Sequence, residues 1–393
     1  QSIYGFRGAS HENIMEFPAR FPGTRIIKLE ANYRSSQPIL DVANAVLRGM
    51  KKKFAKDLFS ATEHRGSRPQ LVFFQDNSME AEWISQKILD LRNDGIGFNR
   101  QAVLFRSAYI SIPLQMELTR RGIPFQVFGG MKFYETAHVK DLLALLKIVF
   151  NPHDDISWTR ALTLIEGIGP ATAAKIVAAI EPRKNVEEIA REVLEGDFGR
   201  YKFSPGLEKL AGALVCACAH GTDLTSALET LHEYYSPIFK SRFDDWNQRA
   251  NDLEAIKQIA GRYNSLQDFL AEFSLEPPEY GGADAARTPD DEKPLTLSTI
   301  HSAKGLEWEC VYFIGLIDGV LPVSFSLEDS DRIEEEHRLF YVGLTRAKSI
   351  LFLSVHHEGN GVGMAGFNKI SRFLEPGEVL TKLDQDIHLD YDL

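Results

Sequence analysis

The chain has 393 residues, 44% of them hydrophobic and 25% charged, which suits two or three globular domains and is too apolar for a disordered protein. Three cysteines, Cys216, Cys218 and Cys310, are too few for a disulfide framework or a zinc ribbon and point to a reducing compartment. No apolar run approaches the roughly 18 to 20 residues of a membrane span, so a cytoplasmic protein is expected, and a net charge of −11 confines any nucleic-acid surface to a local cleft.

The first residues, QSIYGFRGAS, set two aromatic rings and an arginine between turn glycines. With no element before them, they suggest part of a site whose other half lies elsewhere. RIIKL then predicts a buried strand ending at Leu29, followed by Tyr33, Arg34 and a helix that Ser35 or Ser36 caps before Gln37 and Pro38. That order predicts a ring and a guanidinium at the C-terminal edge of a parallel sheet, where such folds bind ligands. Tyr33 could stack on a base and Arg34 could grip a phosphate, or Tyr33 could be core and Arg34 salt-bridged. Lys51, Lys52, Lys53 and Lys56 follow that helix, either as a solvated helix end or as a binding patch.

QLVFFQ, AVLFR and FQVFG predict three more buried strands, and LTLSTI, CVYFIGL and ILFLSV a later set. Between the two sets the pattern is helical, from NPHDDISWTRAL to SLQDFLAEF. An α-helical domain inserted into an α/β domain with a mainly parallel sheet is therefore expected. Inside it, EGIGPATAAK joins two helices through Gly167, Ile168 and Gly169, with Pro170 and Thr172 opening the second helix and Lys175 one turn on. Such glycines let a backbone approach phosphate as in a helix-hairpin-helix, though an ordinary αα-corner has the same pattern. The Pro-, Gly- and acid-rich LEPPEYGGADAARTPDDEKP reads as the linker back into the sheet.

After LTLST, a loop carries His301, Lys304, Gly305 and Glu307. Lys304 and Glu307 could serve a phosphate and a ribose, or simply pair with each other. Arg346 ends the amphipathic segment SDRIEEEHRLFYVGLTRAK just before a strand, as a phosphate finger or a dipole partner.

Taken together and in order, QSIYGFRGA, LEANYRSSQPIL, IPFQVFGGMKFYE, STIHSAKGLEWE and EEEHRLFYVGLTRAK closely resemble the motifs of UvrD/Rep/PcrA-type superfamily 1 DNA helicases. The resemblance runs from Gln1 to about Leu374. It implies two RecA-like P-loop NTPase-type lobes that sandwich ATP and Mg2+. Of these, residues 1–24 would be the remnant of the first lobe and a connector, 25–134 and 291–378 the two parts of the second lobe, 135–290 the inserted helical domain with its helix-hairpin-helix, and 379–393 a C-terminal tail.

By motif match, Gln1 resembles the residue that senses the γ-phosphate, Tyr33 the adenine-stacking tyrosine, Glu307 a glutamate at the ribose, and Arg34 and Arg346 the arginines that reach the γ-phosphate. On the DNA side, Tyr4, Phe6, Arg7, Arg106, His301 and Lys304 fall in strand-contacting motifs, and Gly167, Gly169 and Thr172 in the duplex-contacting hairpin. Where the family carries a polar Asn and a later Arg after Arg106, this chain has Ala108 and Ile112. No GxxxxGK[ST] phosphate loop occurs in the sequence, so this stretch alone is expected to bind nucleotide weakly and not to hydrolyse it. The partners implied are single-stranded and duplex DNA and the first motor lobe, with no membrane. A non-catalytic DNA-binding module and a helicase-nuclease subunit are the alternatives.

Overall fold

The computed structural model describes residues 3, 12–51, 53, 56–63, 66–128, 135–181, 183–261, 263, 265–274, 293–357 and 368–388. The chain divides into two compact units, one formed by Gln1–Gly130 with Pro277–Leu393 and the other by Met131–Glu276.

The first unit contains β1 (Ala31–Asn32), β2 (Phe59–Ser60), β3 (Gln70–Phe74), β4 (Gln101–Phe105), β5 (Phe125–Phe128), β6 (Leu295–Thr299), β7 (Trp308–Phe313), β8 (Ala347–His356) and β9 (Asp384–His388). β1 and β2 form a small parallel pair, and the other seven form one sheet in the order β5-β6-β4-β7-β8-β3-β9. Every pairing in the large sheet is parallel. Its central strands are apolar on both faces because both faces are covered. Ala102, Leu104, Val311, Phe313, Leu351 and Leu353 point into one core with Ile39, Val42 and Phe340. The alternate residues Val103, Phe105, Tyr312 and Phe352 point into a second core with Ile84, Ile88 and Leu118. This strict alternation of period two fixes the register, since a slip by one residue would exchange the two cores.

Six of the seven expected strands form. RIIKL does not: residues 24–30 adopt no regular structure, and Ile26, Ile27 and Leu29 are exposed by 52%, 71% and 81%. An apolar run makes a buried strand only where a ladder partner and a covering layer exist, and the described residues provide neither here. Conversely, β9 lies inside the expected tail 379–393 and pairs in register with β3. Its sequence DQDIH is mostly polar because it forms a largely exposed sheet edge.

The helix Ser330–Leu344 packs closely on the sheet. A Cβ on its Gly343 would come within 2.4 Å of the Phe313 ring, so only glycine allows that approach. At its midpoint, His337 is buried, stacks on Phe373 with centroids 4.5 Å apart, and lies against the helix Gln37–Gly49 at Gly49. Burial pushes the His337 imidazole from about 6.5 down to about 4.

Above pH 6.5 the ring is neutral whether the chain is folded or not. As the pH falls from about 6.5 to about 4, the unfolded chain binds a proton that the folded one refuses, so stability drops by up to about 1.4 kcal/mol per pH unit. Urea midpoints measured between pH 7 and pH 4 should therefore fall less steeply in His337→Gln than in the parent. Equal slopes would contradict this.

The second unit is helical throughout its described elements. Ala137–Phe150, Asp155–Leu162, Pro170–Ile180, Ser204–Ala219, Leu224–Arg242, Trp246–Ala260 and Leu266–Ser274 are α-helices, and Ile189–Asp197 winds as a π-helix. Buried Asp141 accepts from Arg160 Nε at 2.7 Å and from Tyr235 Oη at 2.7 Å, tying three helices together. Buried His138 meets Asp252 Oδ2 through Nε2 at 2.9 Å. Such buried polar groups add specificity to an otherwise apolar core only because each is partnered.

Candidate functional site

Asn32 begins the site's geometry. Its Oδ1 accepts the backbone N–H groups of Arg34 at 2.9 Å and Ser35 at 2.8 Å, so the chain turns sharply and presents Tyr33 and Arg34. Ser35 Oγ donates to Ala347 O at 2.6 Å, and Ser36 N–H donates to Lys348 O at 2.8 Å. This turn is thereby fixed to the start of β8. The helix Gln37–Gly49 follows with Ser36 at its N-cap, but by position only, since the Ser36 side chain makes no cap hydrogen bond.

Arg34 Nε donates to Glu307 Oε2 in an ion pair, and its Nη1 donates to Thr345 O at 3.2 Å. Arg346 is buried, with Nε donating to Val342 O at 3.0 Å, Nη1 to Leu306 O at 3.1 Å and Nη2 to Thr345 Oγ1 at 3.2 Å. Thr345 is thus a hub for both guanidiniums. Lys348 Nζ lies 3.1 Å from the other oxygen of Glu307. The hydrogen bond from Arg34 is the main reason that the Glu307 carboxyl sits below its ordinary range, with Lys348 adding to it. Burial, reinforced by Arg34, lowers Arg346 to about 10, which leaves it cationic at neutral pH. Tyr33, next to Arg34 in the chain, is 79% exposed, so it is not a core residue.

The cluster lies at the N-terminal ends of β7 and β8, because Glu307 and Arg346 immediately precede those strands. The expectation that Arg34 would sit at the C-terminal edge of the sheet is therefore corrected. It fails because the strand RIIKL does not form, and β1 pairs with β2 outside the large sheet. Three cations around one carboxylate suit an anion with an adjoining hydroxyl-bearing group. Among the described residues, no group of three or more His, Cys, Asp or Glu could hold a metal ion.

A second cluster lies at the C-terminal ends of β4 and β6. Arg106, just after β4, donates to Glu336 through Nε at 3.0 Å and Nη2 at 2.8 Å. His301, just beyond β6, is brought down to about 4 by burial and then by Arg106, so it is neutral at pH 7. It can stack or hydrogen-bond but offers phosphate no charge. Lys304 is exposed on the turn that follows, and Gly305 there has φ +95°, a conformation that favours glycine. Two connections run between the clusters, since residues 300–307 carry His301 at one end and Glu307 at the other. The helix Ser330–Leu344 likewise carries Glu336 at its middle and leads into Arg346.

In the helical unit, Gly167 has φ +91° and Gly169 has φ −92° as the N-cap of Pro170–Ile180. The helix Ser204–Ala219 comes very close to this hairpin, because a Cβ on Gly206 would meet Ile165 Cγ2 at 2.4 Å. Thr172 is half-buried, and its N–H donates to Gly169 O at 3.0 Å. The two glycines are therefore not equivalent, since only Gly167 takes a left-handed backbone. Gly167→Val should lower stability through backbone strain of about 1 to 3 kcal/mol, whereas Gly169→Val, which meets nothing within 4 Å, should melt like the parent. Equal melting temperatures for the two variants would contradict this.

Gln1, Tyr4, Phe6 and Arg7 lie outside the described residues. Lys348, Asn32, Thr345 and Glu336 were not picked out from the sequence as site residues. Lys348 carried one usable signal: it falls two residues after Arg346, which on an extended strand is the same side.

The fold and the site define an α/β protein with a cluster of two arginines, a lysine and a carboxylate at one end of a parallel sheet. Residues 27–191 and 237–358 match the UvrD-like helicase C-terminal domain, and the chain belongs to that family, as the C-terminal region of a UvrD/PcrA-type superfamily 1 helicase. It is 29% identical over 412 residues to DNA helicase II of Salmonella typhimurium, covering 99% of this chain and 55% of that protein. It is 30% identical to the ATP-dependent DNA helicase PcrA of Leuconostoc citreum, over 95% of this chain and 52% of that one. It is also 30% identical to PcrA of Bacillus subtilis, over 98% and 54% respectively. The chain spans about half the length of these curated relatives. No helix among the described residues is long and apolar enough to cross a membrane.

Proposed function

We propose that this chain supplies the second motor lobe, with an inserted helical domain, of an ATP-dependent helicase that moves 3′ to 5′ on single-stranded DNA and unwinds duplex. The observation that carries this reading is the convergence of Arg34, Glu307 and Arg346 around Thr345, from motifs more than 270 residues apart in the chain. A plain DNA-binding module would have no use for that arrangement.

In this reading Tyr33 stacks on adenine, Glu307 takes the ribose, and Arg34 and Arg346 face the γ-phosphate, with Gln1 completing the set from the first lobe. ATP, when bound with Mg2+, supplies the bond whose cleavage drives movement. This chain's residues bind and orient it and offer cations to its terminal phosphate. The phosphate loop and the acidic pair belong to the other lobe. Phe17, Phe21, Ile26, Ile27 and Leu29 are all exposed by about half or more, and an apolar strip of that kind favours a covering partner such as that lobe.

Tyr4, Phe6, Arg7, Arg106, His301 and Lys304 would contact single-stranded DNA, where stacking tolerates any sequence. Gly167, Gly169 and Thr172 would meet duplex backbone as a helix-hairpin-helix. The 300–307 connection and the helix Ser330–Leu344 would transmit between the two sites.

The test is ATP turnover of the full-length protein with and without single-stranded DNA, beside the 393-residue chain alone. Turnover that DNA stimulates in the first and that is absent in the second supports the reading. A full-length protein that binds DNA but never turns over ATP would favour a non-catalytic module.

A further inference from the structure

We propose that Gly66 is a positioning residue for ATP turnover: the chain at Gly66 closes against Ser36 and holds the Arg34 turn on a bulge at the start of β8. This rests on the reading that Arg34 faces ATP.

The seat for the turn is set by strand register. Trp308 pairs with Ala347 and Cys310 with Ile350, so Glu309 of β7 is opposed by two residues of β8, Lys348 and Ser349. Such a bulge disrupts the ladder locally. On its other side β8 pairs with β3 only from Phe352 onward. Ala347 O and Lys348 O accept instead from Ser35 Oγ at 2.6 Å and from Ser36 N–H at 2.8 Å. Counting back from the pair of Gln70 and Phe352, Gly66 falls level with Lys348, beside the same bonds.

There is no room for a side chain at Gly66. A Cβ there would overlap Ser36 Oγ, and would lie 2.7 Å from Ser36 Cβ and 2.5 Å from Ser349 O. Gly66 is not one of the left-handed glycines, so glycine is needed here for closeness and not for a dihedral angle. Ser349 O is main chain in a strand whose Leu351 and Leu353 are locked in the core, so it does not give way. Ser36 can move, and one residue separates it from Arg34. Ser60 Oγ donates to Ser35 O at 2.9 Å, which grips the same step from β2. The turn is therefore seated on β8, held from β2 and closed by Gly66.

An added methyl group would need about 1 Å more clearance from Ser36 to reach ordinary contact distance. As the step at Ser35 and Ser36 yields, Arg34 shifts against Arg346, which is fixed separately by Val342 O and Leu306 O. A misplacement of about 1 Å can lower a rate ~10²-fold.

The experiment measures kcat and KM for ATP with saturating single-stranded DNA, together with melting temperature, in the full-length protein. The variants are Gly66→Ala, Arg34→Ala, the two combined, and Gly66→Ala combined with Ser36→Gly. Gly66→Ala should lower kcat at least tenfold at a temperature where it is fully folded. In the Arg34→Ala background the same change should lower kcat by less than twofold, because the group that Gly66 positions is gone. Ser36→Gly removes the overlapping atoms, and since the Ser36 side chain makes no cap hydrogen bond it should bring kcat of Gly66→Ala back to within threefold of the parent. A merely structural role would not give this pattern, because its loss would multiply with that of Arg34→Ala. Multiplying losses, a kcat within twofold of the parent in Gly66→Ala, or a Gly66→Ala protein that does not fold would each overturn the role of Gly66. If Arg34→Ala is impaired and Gly66→Ala is not, the nucleotide reading stands without it. If Arg34→Ala turns over ATP like the parent, the reading of Arg34 fails and this proposal fails with it.

Discussion

Arg346→Ala in the full-length protein is expected to lower DNA-stimulated ATP turnover at least a hundredfold. An arginine that meets the developing charge on a transferring phosphoryl group is typically worth ~10³ to 10⁵ in rate, and in the proposed reading Arg346 has that role; three hydrogen bonds fix its plane. Those bonds take one N–H each from Nε, Nη1 and Nη2 and leave two of the five for a ligand. The same bonds give the variant a structural cost, because Val342 O loses a donor in a buried setting and Leu306 O in a partly buried one. Arg346→Lys separates the two effects, since it keeps the charge but lacks the fork. It should fold with a melting temperature near that of the parent and still turn over far more slowly. Turnover within tenfold of the parent in both variants would remove Arg346 from the reaction.

Arg106→Ala is expected to destabilise the protein by about 3 kcal/mol, towards the lower end for breaking a buried ion pair by removing one partner. Side chains of Arg106 and Glu336 are only 19% and 6% exposed, and without Arg106 the Glu336 carboxylate stays buried with its fork partner gone. Replacing both residues by Leu should recover most of that loss, because an apolar pair needs no compensation. The measurement is urea unfolding of Arg106→Leu, Glu336→Leu and the double variant. Additive losses in the double variant would show that the pair is not coupled.

The result bears on DNA binding, because the pairing occupies Nε and Nη2 of Arg106 and leaves Nη1 outside it. A phosphate contact through Nη1 would lower the salt slope of DNA affinity by about one in Arg106→Ala. Destabilisation alone would leave that slope unchanged.

The sheet was legible because strands covered on both faces leave unbroken apolar runs such as AVLF and CVYF. RIIKL carries the same signature and forms no strand, since a local pattern does not record whether a covering layer is present in the same unit. DQDIH failed in the other direction: an edge strand can be polar and still pair. Arg34, Glu307 and Arg346 were legible through motif order, and they do converge. The end of the sheet on which they converge was not legible, because it depends on a pairing of β1 with β2 that two-residue strands do not announce.

Two contacts were out of reach for the sequence. Arg106 and Glu336 are 230 residues apart, and the motif that marks Arg106 as a DNA contact says nothing of its carboxylate partner. Lys348 and Glu307 meet only through the register of β7 and β8. In EGIGPATA, the spacing suggested two glycines of equal importance, yet only Gly167 takes a left-handed backbone. The difference is one of dihedral angle, which composition does not show.

The central claim is that Tyr33 and its neighbours form one wall of an ATP site, and it is tested most directly by photolabelling the full-length protein with 8-azido-ATP and mapping the adduct by mass spectrometry. The predicted label falls on the peptide containing Tyr33, is displaced by ATP, and is lost in Tyr33→Ala. A displaceable label confined to other peptides, with none between residues 30 and 36, would contradict it.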